Sequence, residues 1–206
     1  MAKSKKKTSL PMPVLKLKIT LLDIHPAMWR RVLASSGMNL GDFHYLIQDA
    51  TGWTNSHLHQ FVIDNVAYGD PEMDEDGEFE DEHGIILAEA LPKVGTRIVY
   101  QYDFGDGWEH EIELEEVLDP APGMVVPSCI DGQRSRPPED CGGTGGYEEL
   151  LKTLAHPQHE DYEAMKEWVG DHFDPEAFDL AAINKAIKTD MTKKLTRKAM
   201  KEFFGL

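Results

Sequence analysis

Between residues 98 and 115 the chain alternates apolar and polar side chains with period two. Ile98, Tyr100, Tyr102 and Phe104 share one face, and so do Trp108, His110, Ile112 and Leu114. Glu109, Glu111, Glu113 and Glu115 take the opposite face. Alternation of this length predicts two half-buried strands. A two-residue connection would set one strand's apolar face against the other's glutamates. A three-residue connection, Gly105-Asp106-Gly107, pairs Phe104 with Trp108, Tyr102 with His110, Tyr100 with Ile112 and Ile98 with Leu114. The second choice builds one buried face and is the expected register. It also places Asp103 opposite Glu109 on the outer face. Like charges there are destabilising, so an arginine, a metal ion or a ligand is expected beside them.

The same pattern organises the rest of the chain. Val14–Ile24 alternates Leu15, Leu17, Ile19 and Leu21 against Lys16, Lys18 and Thr20. His25-Pro26-Ala27 interrupts it, and Met28–Leu33 resumes as the second strand of a hairpin. Arg30 and Arg31 lie on opposite faces there, so one guanidinium points inward and needs a partner. Asn39 caps a helix with a stripe of Leu40, Phe43, Ile47 and Ala50, and Gly52 ends it. Extended chain follows from Leu58 to Ile63, then an Asp64-Asn65 turn and a return strand at 66–68. Residues 70–84 are acidic and predict a mobile loop. A helical turn is expected at Leu87–Leu91. Residues 119–146 are rich in Pro and Gly and read as a long covering loop. Helical spacing then appears around Leu150, Met165 and Ile183, with a basic segment at 189–206 as a possible fourth helix. Strands first and helices last predict an α+β fold: a mostly antiparallel sheet with packed helices and a helical C-terminal part. One domain over 14–188 is expected, after a disordered basic tail at 1–13.

Composition narrows the partners. The 206 residues carry a formal net charge of −16, which argues against broad binding to a phosphate backbone. The Lys-rich last segment is the one place where nucleic acid or an acidic partner is expected to touch. No run approaches the ~18 apolar residues of a membrane helix, and the basic start lacks a secretory signal's apolar segment. Cys129 and Cys141 therefore read as reduced thiols of a cytoplasmic protein.

Several motifs together resemble the plasmid pRiA4b ORF-3-like family. They are Ile24-His25-Pro26 with Trp29-Arg30-Arg31, then Gly52-Trp53-Thr54-Asn55-Ser56-His57-Leu58-His59-Gln60-Phe61, and Tyr68-Gly69-Asp70. The Tyr102–His110 stretch, Pro137-Pro138-Glu139-Asp140-Cys141-Gly142-Gly143 with Gly146-Tyr147, and Phe173-Asp174-Pro175-Glu176-Ala177-Phe178-Asp179 complete the set. The resemblance spans residues 14–188. It implies a protein found on plasmids, beside transposons and in bacterial and archaeal genomes, with no established activity. Some members look like they were labelled transposon resolvases, but no activated serine among arginines is legible in this chain. Other members are joined to DNA-binding or zinc-binding modules, which implies a portable binding or regulatory unit.

Four chemistries compete. His57 and His59 share one strand face, and Asp103, Asp106, Glu109, His110, Glu139, Asp140, Cys129 and Cys141 supply further ligand types for a divalent metal, though in no standard zinc spacing. Glu72, Asp74, Asp76 and Gly77 imitate half a calcium loop, but His83 stands where its bidentate glutamate belongs. Cys141 as a nucleophile is disfavoured by the adjacent Asp140 carboxylate. Finally, Arg30, Arg31, Arg134 or Arg136 can neutralise Asp103 and Glu109 with no ligand at all. The Gly142–Gly146 run lacks a phosphate-binding lysine, and Glu148-Glu149 repel an anion. The reading preferred from sequence is a non-enzymatic interaction or regulatory module with a protein partner and no membrane. A metal-dependent hydrolase using His57, His59, Asp103, Asp106 and His110 is the alternative, and nucleic-acid binding through the basic segment is the third.

Overall fold

The computed structural model describes residues 12–73 and 77–204. Eight strands form one sheet: β1 (Val14–Leu21), β2 (Trp29–Ser35), β3 (His59–Ile63), β4 (Val66–Gly69), β5 (Glu80–Asp81), β6 (Arg97–Tyr102), β7 (Trp108–Leu118) and β8 (Ser128–Gln133). Their order is β5-β4-β3-β6-β7-β1-β2-β8, antiparallel throughout except for the short β4–β5 pair. The helices are α1 (Leu40–Thr51), α2 (Leu87–Ala90), α3 (Gly143–Leu154), α4 (Tyr162–Val169) and α5 (Leu180–Phe204). The fold is α+β, as the alternation predicts.

The core lies on the face the period-two pattern selects. Leu17, Ile19 and Leu21 of β1, Val32 of β2, Tyr100 and Tyr102 of β6, and Trp108 and Ile112 of β7 are all buried. Helix α1 covers that face with Leu40, Phe43, Ile47 and Ala50. Its ends are those expected. The Asn39 side chain accepts from the Asp42 N–H at 2.7 Å, and Gly52 closes the helix at φ 95°.

The central hairpin departs from the expected register by two residues on one strand. Tyr102 pairs with Trp108, Tyr100 with His110 and Ile98 with Ile112. The connection is therefore five residues, 103–107. A shift of two keeps every side chain on its own face, so the hydrophobic pattern cannot tell the two loops apart. Asp103 decides it. Its backbone takes φ 57°, its carbonyl accepts from Gly107 N–H at 2.6 Å, and its Oδ1 accepts from Gly105 N–H at 3.0 Å and Asp106 N–H at 3.3 Å. Asp103 is thereby buried while Phe104 is thrown outward, 47% exposed. Gln101, not Asp103, faces Glu109.

Two segments expected as loops carry structure. Within 119–146, β8 forms the sheet edge, and an Asn184 side chain from α5 closes that edge. Asn184 Oδ1 accepts from Cys129 N–H at 3.0 Å and its Nδ2 donates to Cys129 O at 2.8 Å. Within 70–84, short 3-10 turns at Pro71–Met73 and Glu82–Gly84 flank β5. Glu82 is buried there against His59. Part of the imagined calcium loop, 74–76, lies outside the described residues, as do residues 1–11. The expected third and fourth helices at the C-terminus are one helix, α5, of 25 residues. It packs through Ile183 and Ile187 onto the core beside α1 and β8. Among the described residues no helix is long and apolar enough to cross a membrane.

Candidate functional site

Three separate segments meet at one rim of the sheet. The connection from α1 to β3 brings His57. The first residue after β6 is Asp103. The loop from β8 to α3 brings Glu139 and Asp140. Arg136 pins that loop in place: its guanidinium lies 4.9 Å from the Trp53 ring centroid and its Nε donates to Gly52 O at 2.6 Å. The His57 ring stands edge-on to Tyr102, with centroids 5.7 Å apart.

His57 Nε2 lies 3.6 Å from Asp103 Oδ2, 3.8 Å from Glu139 Oε2 and 3.4 Å from Asp140 Oδ1. The His57, Asp103 and Asp140 donor atoms all fall within 4.8 Å of one another. None of the three distances is a hydrogen bond, which for N–H···O runs about 2.7–3.2 Å. Two donors held at about 2.1 Å from a tetrahedral ion stand about 3.4 Å apart. Both His57 Nε2 and Glu139 Oε2 are buried and have no hydrogen-bond partner. Such orphans are uncommon in folded proteins; the others found among the described residues are Thr96 Oγ1, Trp108 Nε1 and Arg134 Nε, none of them a member of this cluster.

Each buried carboxylate is anchored by its other oxygen. Glu139 Oε1 accepts from Thr54 N–H at 2.8 Å, from the Thr54 hydroxyl at 2.9 Å and from the Tyr102 hydroxyl at 3.4 Å. Asp103 Oδ1 takes two backbone N–H groups of its own turn. Asn55, Asp103 and Asp140 hold positive φ angles of 53°, 57° and 55° around the rim. Asn and Asp tolerate that region best among non-glycines.

The other sequence candidates go elsewhere. His59 Nε2 meets Glu82 Oε2 at 2.9 Å, and its ring stacks on His44 at 3.5 Å. His110 Nε2 accepts the Trp53 indole N–H at 3.0 Å, and its Nδ1 faces Tyr100 O at 3.3 Å. Burial pushes this imidazole down to about 4, so it is neutral and its lone pair is spent. Asp106 Oδ2 accepts from Gly142 N–H at 3.1 Å, tying the hairpin tip to the start of α3. Glu109 accepts from Gln101 at 2.6 Å on the outer face. Cys129 is buried, and its Sγ lies 3.3 Å from Asp131 O. Burial, then the Asp106 carboxylate, push the Cys141 thiol up to about 12, which removes it as a thiolate.

Among the described residues no arginine forms a salt bridge with the cluster; the Arg136 charge acts on Glu139 only through space. Arg31 takes Glu115 with both Nε (2.6 Å) and Nη2 (2.9 Å), and Nη1 takes Asp131. Arg134 pairs with Glu176 at 2.6 Å. Arg30 is the inward guanidinium, 2% exposed, but its partners are the carbonyls of Ala50, Trp29 and Gln133. Arg136 likewise binds carbonyls. Among the described residues no salt bridge joins any of the four to Asp103 or Glu109. Thr54 and Tyr102 were not singled out from sequence. Thr54 stands three residues before His57, inside the motif stretch that carries the family resemblance.

A model of the plasmid pRiA4b ORF-3-like protein family matches residues 13–182. The chain belongs to that family. Uncharacterised protein y4hQ of Sinorhizobium fredii is 37% identical over 191 residues, covering 92% of this chain and 97% of that protein. The crystal structure of MM3350 from Methanosarcina mazei Go1, described as a protein of unknown function, matches with a TM-score of 0.75 at 34% identity, covering 84% of this chain and 97% of that one. All five residues at the rim, Thr54, His57, Asp103, Glu139 and Asp140, fall within the stretch the family model matches.

Proposed function

We propose that this member of the family is a metal-binding regulatory or interaction module of the cytoplasm. One divalent transition-metal ion is held by His57, Asp103 and Asp140. The observation that carries the reading is the convergence of the His57, Asp103 and Asp140 donor atoms within 4.8 Å of one another, with His57 Nε2 buried and lacking a hydrogen-bond partner. Electrostatics supports it. Two carboxylates about 4 Å apart repel by roughly 1 kcal/mol in water and 4 kcal/mol at an effective dielectric of about 20. A proton on His57 would offset one charge, at distances too long for a hydrogen bond. A divalent cation offsets two and gives the orphaned His57 Nε2 a partner. The imidazole favours zinc or iron over magnesium or calcium, and the carboxylates also suit manganese. Two free cysteines in the described chain support a reducing compartment.

Titration of chelator-treated full-length protein with Zn2+ and Mn2+ tests the proposal. About one equivalent is expected to bind, and H57A and D103N are expected to lose it while keeping the circular-dichroism spectrum. A wild-type protein that binds neither ion overturns the reading. One feature favours hydrolytic chemistry as a second reading. The Asp140 side chain is 74% exposed, so solvent reaches the ion's outer side. A metal-bound water there would be a nucleophile near neutral pH. Turnover of activated esters or phosphate esters by the metal-loaded protein, lost in H57A, would favour that reading over a purely regulatory ion.

A further inference from the structure

We infer that this site hydrolyses neutral carboxylic esters, with Glu139 taking the proton from the attacking water. The inference rests on the metal-binding reading above and concerns the rim carboxylate that is not among the ligands. Glu139 lies outside the set of donor atoms that fall within 4.8 Å of one another, yet its Oε2 stands 3.8 Å from a member of that set, His57 Nε2. Oε2 is buried and has no hydrogen-bond partner. Oε1 already receives the Thr54 N–H, the Thr54 hydroxyl and the more distant Tyr102 hydroxyl, at 2.8, 2.9 and 3.4 Å. A carboxylate oxygen has two lone pairs, so Oε1 is filled and Oε2 is the oxygen free to take a proton.

A buried acceptor beside a ligand atom needs a donor. A water held by the ion is one, about 2.1 Å from the ion and able to reach an acceptor about 2.7 Å further on. The ion makes its protons acidic near neutral pH. Charge then selects the substrate. Three carboxylates, of Asp103, Glu139 and Asp140, surround one divalent ion, and among the described residues no arginine forms a salt bridge with them. A phosphate ester would bring more negative charge with no basic clamp to meet it. A carboxylic ester is neutral, and the ion polarises its carbonyl. Leu58 and Phe104, 42% and 47% exposed, directly follow His57 and Asp103, and the Asp103 N–H donates to Leu58 O at 2.9 Å. Apolar surface for the ester's carbon chain therefore lies next to two of the ligands.

Glu139 Oε2 accepts a proton of the water as the water oxygen bonds to the ester carbonyl carbon. The bond from that carbon to the alkoxy oxygen then breaks, its electron pair leaves with the oxygen, and Glu139 returns the proton there. One ester and one water become one acid and one alcohol, with Glu139 restored.

The test uses full-length protein loaded with Zn2+, with 4-nitrophenyl butyrate and 4-nitrophenyl phosphate as probes. Wild-type protein should show the higher kcat/KM on the butyrate. E139Q keeps the oxygen that Thr54 holds and replaces the one that takes the proton. It should bind Zn2+ as wild type does and keep the circular-dichroism spectrum, while kcat falls about 100-fold or more, the share of a general base. With Co2+ in place of Zn2+, the visible spectrum follows ionisation of the bound water. E139Q should move that midpoint down by about one pH unit, because a neighbouring negative charge opposes a second one. If wild-type protein binds no metal, the site and this inference fall together. If it binds Zn2+ but leaves the butyrate intact, or prefers the phosphate, the inference is overturned and the site stands. E139Q that matches wild type in kcat and Co2+ midpoint overturns the part given to Glu139, and so does E139Q that loses Zn2+, which would make Glu139 a ligand.

Discussion

Two histidine neighbourhoods in this molecule, less than a strand's length apart in sequence register, keep opposite accounts of their polar atoms. In the interior, every group around His44 and Tyr100 has a partner. Asn55 N–H donates to Gln48 Oε1, and Gln48 Nε2 donates to the Tyr100 hydroxyl, at 2.8 and 2.9 Å. That hydroxyl then donates to His44 Nδ1, and His44 Nε2 donates to Asn55 Oδ1, both at 2.8 Å. The circuit closes on itself through both ring nitrogens of His44. His110 is closed in the same way by Trp53 and Tyr100. At the rim, His57 and Glu139 each keep one buried atom with no partner. A satisfied network needs nothing from outside and specifies the core.

The largest effects should come from the rim. Saturating Mn2+ or Zn2+ at about 1,000 times Kd should stabilise the wild-type protein by about 4 kcal/mol, read as a rise in Tm. H57A and D103N should show no rise. A metal-induced rise that survives both substitutions would dissolve the distinction between rim and interior.

The next effect belongs to the interior. His110 has its folded-state value lowered to about 4 from an ordinary value near 6.5. A lowered histidine contributes stability above the unfolded-state value, and that stability is lost as pH falls toward the folded-state value. Denaturant midpoints of metal-free protein should therefore decline from about pH 6.5 to 4, with His110 responsible for up to about 3 kcal/mol. The slope should flatten in H110Q. An unchanged slope would mean that His110 is not the buried neutral group described.

The His59–Glu82 contact should give a smaller change. E82Q is expected to cost about 1–2 kcal/mol, since it weakens a buried charge-assisted bond. It should leave metal affinity within about twofold of wild type, because His59 is not a ligand. A large loss of metal binding in E82Q would show that the two neighbourhoods are one. The smallest effect is expected from N184A, about 1 kcal/mol, accompanied by concentration-dependent association through the uncovered β8 edge. Analytical ultracentrifugation reads that association directly.

Much of this architecture was legible in the residues, and the failures have physical causes. Strand faces, the Asn39 cap and the Gly52 stop follow from local rules that tertiary packing did not override. The hairpin register was not recoverable, because three- and five-residue loops preserve the same faces and differ only in the hydrogen bonds of Asp103. β8 was hidden because an edge strand of sequence Ser-Cys-Ile-Asp-Gly-Gln has little alternation. It holds its place through Asn184 and through Gly132, where a Cβ would come within 2.5 Å of Phe178. At the candidate site, the residue types were visible, but the constellation was drawn too widely. His57 and Asp103 do meet, and Glu139 and Asp140 join them from the loop. His59 and His110, which alternate onto the same buried face, are taken by Glu82 and Trp53. Periodicity reports a face, and not which neighbour has already claimed a nitrogen.

A crystal of the full-length protein soaked in Mn2+ and measured for anomalous scattering tests the central claim most directly. One strong peak should lie between His57, Asp103 and Asp140, within about 2.4 Å of a donor atom of each, and vanish in H57A. A rim filled by ordered water alone, with no anomalous peak at saturating Mn2+, would contradict it.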